Sequence, residues 1–112
     1  MSLDVRTVGD VTILTPKGML LGGKETDELQ SKIKELAEAS NRKLLINLGQ
    51  TTFMNSVSLG VLIAGHANYS KRDAKLRLCA VDKKIQSIFV VTKLSLVFEV
   101  FDDEAEALAS FK

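Results

Sequence analysis

Leu44-Leu45-Ile46-Asn47-Leu48 is a nearly continuous apolar run, followed closely by Thr52-Phe53-Met54-Asn55-Ser56-Val57-Ser58-Leu59-Gly60-Val61-Leu62. A short apolar stretch without alternation is the mark of a strand covered on both faces, so Leu44–Leu48 is expected at the centre of a sheet. The second stretch leads from that strand into a helix predicted to start near Ser56 and to run to about Lys71.

Outward from this pair, strands and helices alternate. Toward the N-terminus, Leu29, Ile33, Leu36 and Ala37 recur at helical spacing among charged residues, with Thr26 or Asp27 as candidate caps and Ser40-Asn41-Arg42 as the end. Before it, Val5 to Thr15 reads as strands closed by Pro16-Lys17-Gly18, and Met19-Leu20-Leu21 as a short strand before Gly22-Gly23. Toward the C-terminus, a strand is predicted over Lys75 to Val81 and a helix carrying Ile85, Ile88, Phe89 and Thr92. A last strand follows over Leu96 to Phe101, then a short helix opened by Asp102 and Asp103 with Ala105, Leu108 and Ala109 inward. No repeat, linker or low-complexity tract interrupts the pattern, so residues 1–112 are expected to form one α/β domain, a mixed sheet flanked by about four helices.

Composition narrows the function. With 15 basic and 14 acidic side chains the formal net charge is +1, which disfavours nucleic acid or an anionic membrane as the primary partner. Met1-Ser2-Leu3-Asp4-Val5-Arg6 lacks the basic start and apolar middle of a secretory leader, so a cytoplasmic location is expected, without membrane insertion. Cys79 is the single cysteine and lies in Leu76-Arg77-Leu78-Cys79-Ala80-Val81, where inert packing is the expected role.

Catalytic chemistry finds little support. The single histidine, His66, falls beside Leu59, Leu62 and Ile63 on the helical wheel and is expected at the core margin with its imidazole hydrogen-bonded. There is no zinc spacing and no phosphate-binding Gly-Lys-Ser/Thr loop, and Gly22-Gly23 reads better as a tight turn than as an anion site. Neither a metal nor a cofactor is expected, and an enzyme is disfavoured; a small enzyme or ligand carrier using a cleft near Ser56 is the least supported reading.

The informative residues are at the start of the second helix. Asn55, Ser56 and Ser58 can each accept from the first unpaired backbone N–H groups, and an N-cap alone would explain them. A docking surface is the competing reading. Val57, Val61 and Ala64 form an apolar strip on a different side from Leu59, Leu62 and Ile63, so one strip is expected to stay uncovered. A phosphoryl group on a serine here would be favoured by the helix dipole and add roughly 1.5 to 2 negative charges to any contact.

Phe53-Met54-Asn55-Ser56-Val57-Ser58-Leu59-Gly60-Val61 is similar to the signature of STAS domains of the anti-sigma factor antagonist type, in which the pattern is Asp-Ser-Ser/Thr-Gly-Leu-Gly. The resemblance extends through Gly18-Met19-Leu20, Leu44 to Leu48, Leu78-Cys79-Ala80-Val81, Thr92-Lys93-Leu94 with Phe98, and Glu104-Ala105 to Leu108. It implies a domain that binds an anti-sigma factor that is also a serine kinase, so freeing the sigma factor. Ser56 is then the phosphoacceptor, the kinase supplies ATP, phosphorylation breaks the complex and a phosphatase restores it. Asn55, Ser56, Val57, Ser58, Gly60, Val61 and Ala64 become the candidate partner-binding residues of a monomer or weak homodimer. Four positions depart from the pattern: Asn55 replaces the aspartate, Val57 the second hydroxyl residue and Ser58 the glycine, while Leu21 stands where many members carry an acid. These departures leave open constitutive binding, phosphorylation at Ser58, a divergent kinase, or a STAS subunit of a signalling assembly or lipid-transport ATPase that needs no phosphate.

Overall fold

The computed structural model describes residues 3–111; Met1 and Ser2, part of the N-terminal stretch read above for a leader, and Lys112 lie outside them. Strands β1 (Leu3–Val8), β2 (Val11–Pro16), β4 (Lys43–Asn47), β6 (Lys75–Cys79) and β7 (Val100–Phe101) form one sheet in the order β1-β2-β4-β6-β7. β1 is antiparallel to β2, and β2, β4, β6 and β7 run parallel. β4 is therefore the middle strand, as its apolar run requires. Its alternation supplies both faces: Leu44 and Ile46 enter the larger core, and Leu45 enters the smaller one. All three are fully buried, each burial contributing roughly 1.5 to 3 kcal/mol before entropy is subtracted.

Three helices cover one face and one covers the other. α1 (Lys24–Glu38), α2 (Ser56–Lys71) and α3 (Lys83–Val91) bury Leu29, Ile33, Leu59, Leu62, Ile85 and Phe89 against Leu14, Leu44, Ile46, Leu76 and Leu78. α4 (Glu104–Ser110) packs Ala107, with Phe111 just beyond it, on Val11, Ile13, Leu45 and Cys79. Ala105 and Ala109, expected inward, are exposed; the helix is turned so that Ala107 and partly buried Leu108 face the sheet. Burial pushes the Cys79 thiol up to about 12, a change that Glu104 and Asp103 reinforce, so the expectation of inert packing agrees with the structure.

Other expectations need correction. α1 starts at Lys24 and is capped by Gly23 without a side-chain bond; Thr26 and Asp27 lie inside its first turn, where buried Thr26 uses its Oγ1 to accept from the Gly22 N–H at 2.9 Å. β6 stops at Cys79, before Ala80 at φ 59°. The strand expected from Leu96 is only Val100–Phe101, since Lys93 turns left-handed at φ 64° and Leu94–Leu96 winds into a turn of 3-10 helix. That turn buries Leu94 and Phe98 beside Phe89, an apolar spacing that imitates a strand in the sequence.

Two further strands lie apart from the main sheet. β3 (Gly18–Leu20) pairs in parallel with β5 (Thr51–Met54), placing Met19 opposite Phe53 and Leu20 opposite Met54. Leu20 and Met54 point into the core while Met19 and Phe53 point to solvent. β5 leads directly into α2, so this ribbon sets the position of the helix start.

Candidate functional site

The start of α2 is built by a reciprocal cap. Asn55 has extended backbone at φ −118°, and its Oδ1 accepts from the N–H groups of Val57 and Ser58 at 3.1 and 3.2 Å. Ser58 Oγ accepts from the Asn55 N–H at 3.0 Å, closing a capping box. The Asn55 amide also donates to the Leu21 carbonyl at 3.0 Å, which ties the end of β3 to the helix start. A carboxylate could accept at the cap but could not donate to Leu21.

The capping box separates the candidate residues. Ser58 is fully buried with its hydroxyl committed to Asn55, and Val61 packs inside the core, so neither offers a side chain to a partner. Phosphorylation at Ser58, one of the open alternatives, would require opening the cap. Ser56, Val57, Gly60 and Ala64 are exposed and Asn55 is half-buried. Ser56 is the first residue of α2, and among the described residues its hydroxyl has no hydrogen-bond partner. The division into strips is also shifted: Val61 turns inward and Ile63 outward, leaving Val57, Gly60, Ile63 and Ala64 on the open side. α1 packs across the turn that holds Val61, a neighbour that a helical wheel does not contain.

Residues distant in sequence complete the surface. Met19 is 54% exposed, Leu21 47%, Phe53 46% and Val57 55%, a group of open apolar side chains on the segments that meet at the start of α2. The β3–β5 pairing brings Met19 to Phe53, and Gly22 at φ +90° lies so close to Val57 that an added Cβ would sit 3.1 Å from Val57 Cγ1. In the sequence Leu21 stands out only as a departure from the pattern, and Met19 and Phe53 only as members of stretches that carry the resemblance, because nothing local to either segment announces that β3 and β5 pair.

Elsewhere the structure offers little chemistry. His66 sets its ring edge-on to Phe98 at 5.3 Å, and among the described residues its buried Nδ1 has no hydrogen-bond partner, contrary to the expected satisfied imidazole. Among the described residues no cluster of His, Cys, Asp or Glu could hold a metal ion, and no helix is long and apolar enough to cross a membrane.

A family model, the STAS domain, matches residues 2–107. The chain belongs to the STAS domain family. Solved structures with the same architecture include a protein from Thermotoga maritima, at 21% identity and TM-score 0.90 over 96% of this chain and 92% of that one. An anti-sigma factor antagonist from Mycobacterium paratuberculosis matches at 21% identity and TM-score 0.85, over 96% and 91%. The phosphorylated form of the Bacillus cell fate determinant SpoIIAA matches at 14% identity and TM-score 0.80, over 98% and 99%. At such identities the likeness speaks for the fold, and the STAS architecture of a mixed sheet with four helices agrees with the expected fold class.

Proposed function

We propose that this STAS domain is an anti-sigma factor antagonist, a protein-binding switch and not a catalyst. Its partner is an anti-sigma factor that is also a serine kinase. The observation that carries the reading is the exposed Ser56 hydroxyl, without a hydrogen-bond partner among the described residues, in the first turn of a capped helix whose start lies beside exposed Met19, Leu21, Phe53 and Val57. The apolar rim gives binding energy on contact. The hydroxyl is where a kinase can interrupt that contact: Ser56 Oγ takes the γ-phosphoryl group of ATP, loses its proton, and ADP departs.

A phosphoryl group there gains from the α2 dipole within the chain, yet brings roughly 1.5 to 2 charges into an otherwise neutral apolar rim. The domain stays folded while the contact is broken, and a phosphatase resets it. With the cognate kinase and ATP, one phosphate is expected on Ser56 and none on Ser58. Ser56→Ala is expected to bind the kinase tightly and Ser56→Asp weakly; equal affinity of the two variants would remove phosphorylation as the switch.

One observation favours a second reading, a phosphate-independent STAS subunit of a signalling assembly or of a lipid-transport ATPase. Two departures from the family pattern, Asn55 and Leu21, meet each other through the amide-to-carbonyl bond and leave the rim without a carboxylate. Recovery of a transporter ATPase and no kinase on affinity capture from the native cell would select this reading.

A further inference from the structure

The sheet has two edges, and they are treated differently. β7 is only two residues long, a common way of leaving little edge to pair. β1 is six residues long, has no proline, and keeps an unbroken register with β2 from Leu3↔Pro16 to Val8↔Val11. Among the described residues, every second N–H and C=O of β1 therefore points outward without a strand to pair with. From Asp4 onward the strand is exposed, including Val5 at 44%.

The side chains of β1 specify what can pair with it. Leu3 belongs to the core under α1, and Val5, two residues on, lines an open groove of about 620 Å³ beside Asp27 and Ser31 of α1. Asp4 and Arg6 take the opposite face, where Arg6 reaches Glu104 at the start of α4. For a second copy to continue the sheet with α1 on the same face, residues of like parity must oppose each other. A two-fold axis at Asp4 then opposes Asp4 to Asp4, and one at Arg6 opposes Arg6 to Arg6. An axis at Val5 places Asp4 opposite Arg6 of the second copy, Arg6 opposite its Asp4, Val5 opposite Val5, and Leu3 opposite Thr7. Opposite charges across an antiparallel pair stabilise it and like charges destabilise it, so the sequence around Val5 is self-complementary in one register.

We propose that β1 is a homodimerisation edge, pairing antiparallel with β1 of a second copy about a two-fold axis at Val5 to join the two sheets into one. The groove beside Val5 is then flanked by the second copy's Val5 and α1. The proposal does not depend on the role given to Ser56.

Sedimentation equilibrium of the full chain tests the proposal, with a concentration-dependent dimer expected. Asp4→Arg turns both Asp4–Arg6 pairs into like charges on an exposed site, and is expected to raise the dimer dissociation constant about tenfold or more with the melting temperature of the monomer unchanged. Val5→Cys, treated with a short bifunctional thiol reagent, is expected to cross-link to a dimer. Val8→Cys is not, since its two copies would be six residues apart along the strand, about 20 Å. A wild-type chain that stays monomeric, a dimer indifferent to Asp4→Arg, or cross-linking of the Val8→Cys variant equal to that of Val5→Cys would each overturn the proposal.

Discussion

Asn55 shows how one side chain can serve both the helix and the surface beside it. Its oxygen satisfies two helix N–H groups while its amide holds the Leu21 carbonyl, so the cap and the apolar rim are fixed by the same residue. Asn55→Ala should cost about 1 kcal/mol, within the range for lost N-caps, and urea unfolding measures it. Asn55→Asp keeps the acceptor and gains at the dipole but sets a carboxylate against Leu21, so it should cost less than Asn55→Ala while loosening the end of β3. Glu104 is the second residue whose environment has a measurable consequence. The Arg6 guanidinium, then the Asn47 amide at 2.7 Å, hold its carboxyl below the ordinary glutamate value against the opposing effect of burial. A carboxyl lowered on folding stabilises the protein above its unfolded value and loses that contribution as pH falls through the folded one. Glu104→Gln should therefore lower stability at neutral pH and flatten the acid side of the profile below the ordinary glutamate range. Urea midpoints at neutral and acidic pH check this.

At the scale of elements, α2 carries two glycines with opposite roles. Gly65 faces inward, where a Cβ would lie 3.0 Å from Ile33 Cγ2 and 3.2 Å from Leu76 Cδ1; it lets α2 approach α1 and β6 together. Gly60 is exposed with nothing within 4 Å of an added Cβ. Gly65→Ala should destabilise, because overpacking of roughly 1 to 3 kcal/mol exceeds the helix-propensity gain. Gly60→Ala should stabilise by about 0.5 to 1 kcal/mol. Thermal melts of the two variants shifting in the same direction would refute this account of the packing. Gly60→Ala also adds a methyl group beside Ser56 and Val57 on the open side, so weaker capture of the partner alongside a higher melting temperature would mark that side as the contact.

For the whole molecule, Cys79 reports on global opening. It lies on β6 between β4 and β7 and under α4, fully buried, with its thiol raised to about 12. Thiol reagents at mildly alkaline pH should leave the native protein unlabelled, and labelling should track the global unfolding transition; rapid labelling well before it would reveal a local opening of α4. The half-buried chain from Tyr69 Oη to Asn41 Oδ1, and from Asn41 Nδ2 to Thr12 Oγ1, both 2.9 Å, similarly links α2 to the loop before β4 and to β2.

The sequence by itself determined the central strand, the alternation of strands and helices, the inert cysteine and a helix start near Ser56 with Asn55, Ser56 and Ser58 as candidate caps, because each follows from local periodicity or from bonds between near neighbours. The resemblance to the STAS signature singled out Ser56 as the candidate by the same kind of short-range pattern. Which of the neighbouring residues reach solvent was decided only in three dimensions. Ser58 and Val61 face inward because the capping box and α1 claim them, while Met19, Leu21 and Phe53 join Ser56 because β3 pairs with β5 across more than thirty residues of chain. The open edge of β1 is of the same kind. A strand reads alike in sequence whether one side of it is paired or both, and sheet order alone leaves Leu3–Val8 at the rim.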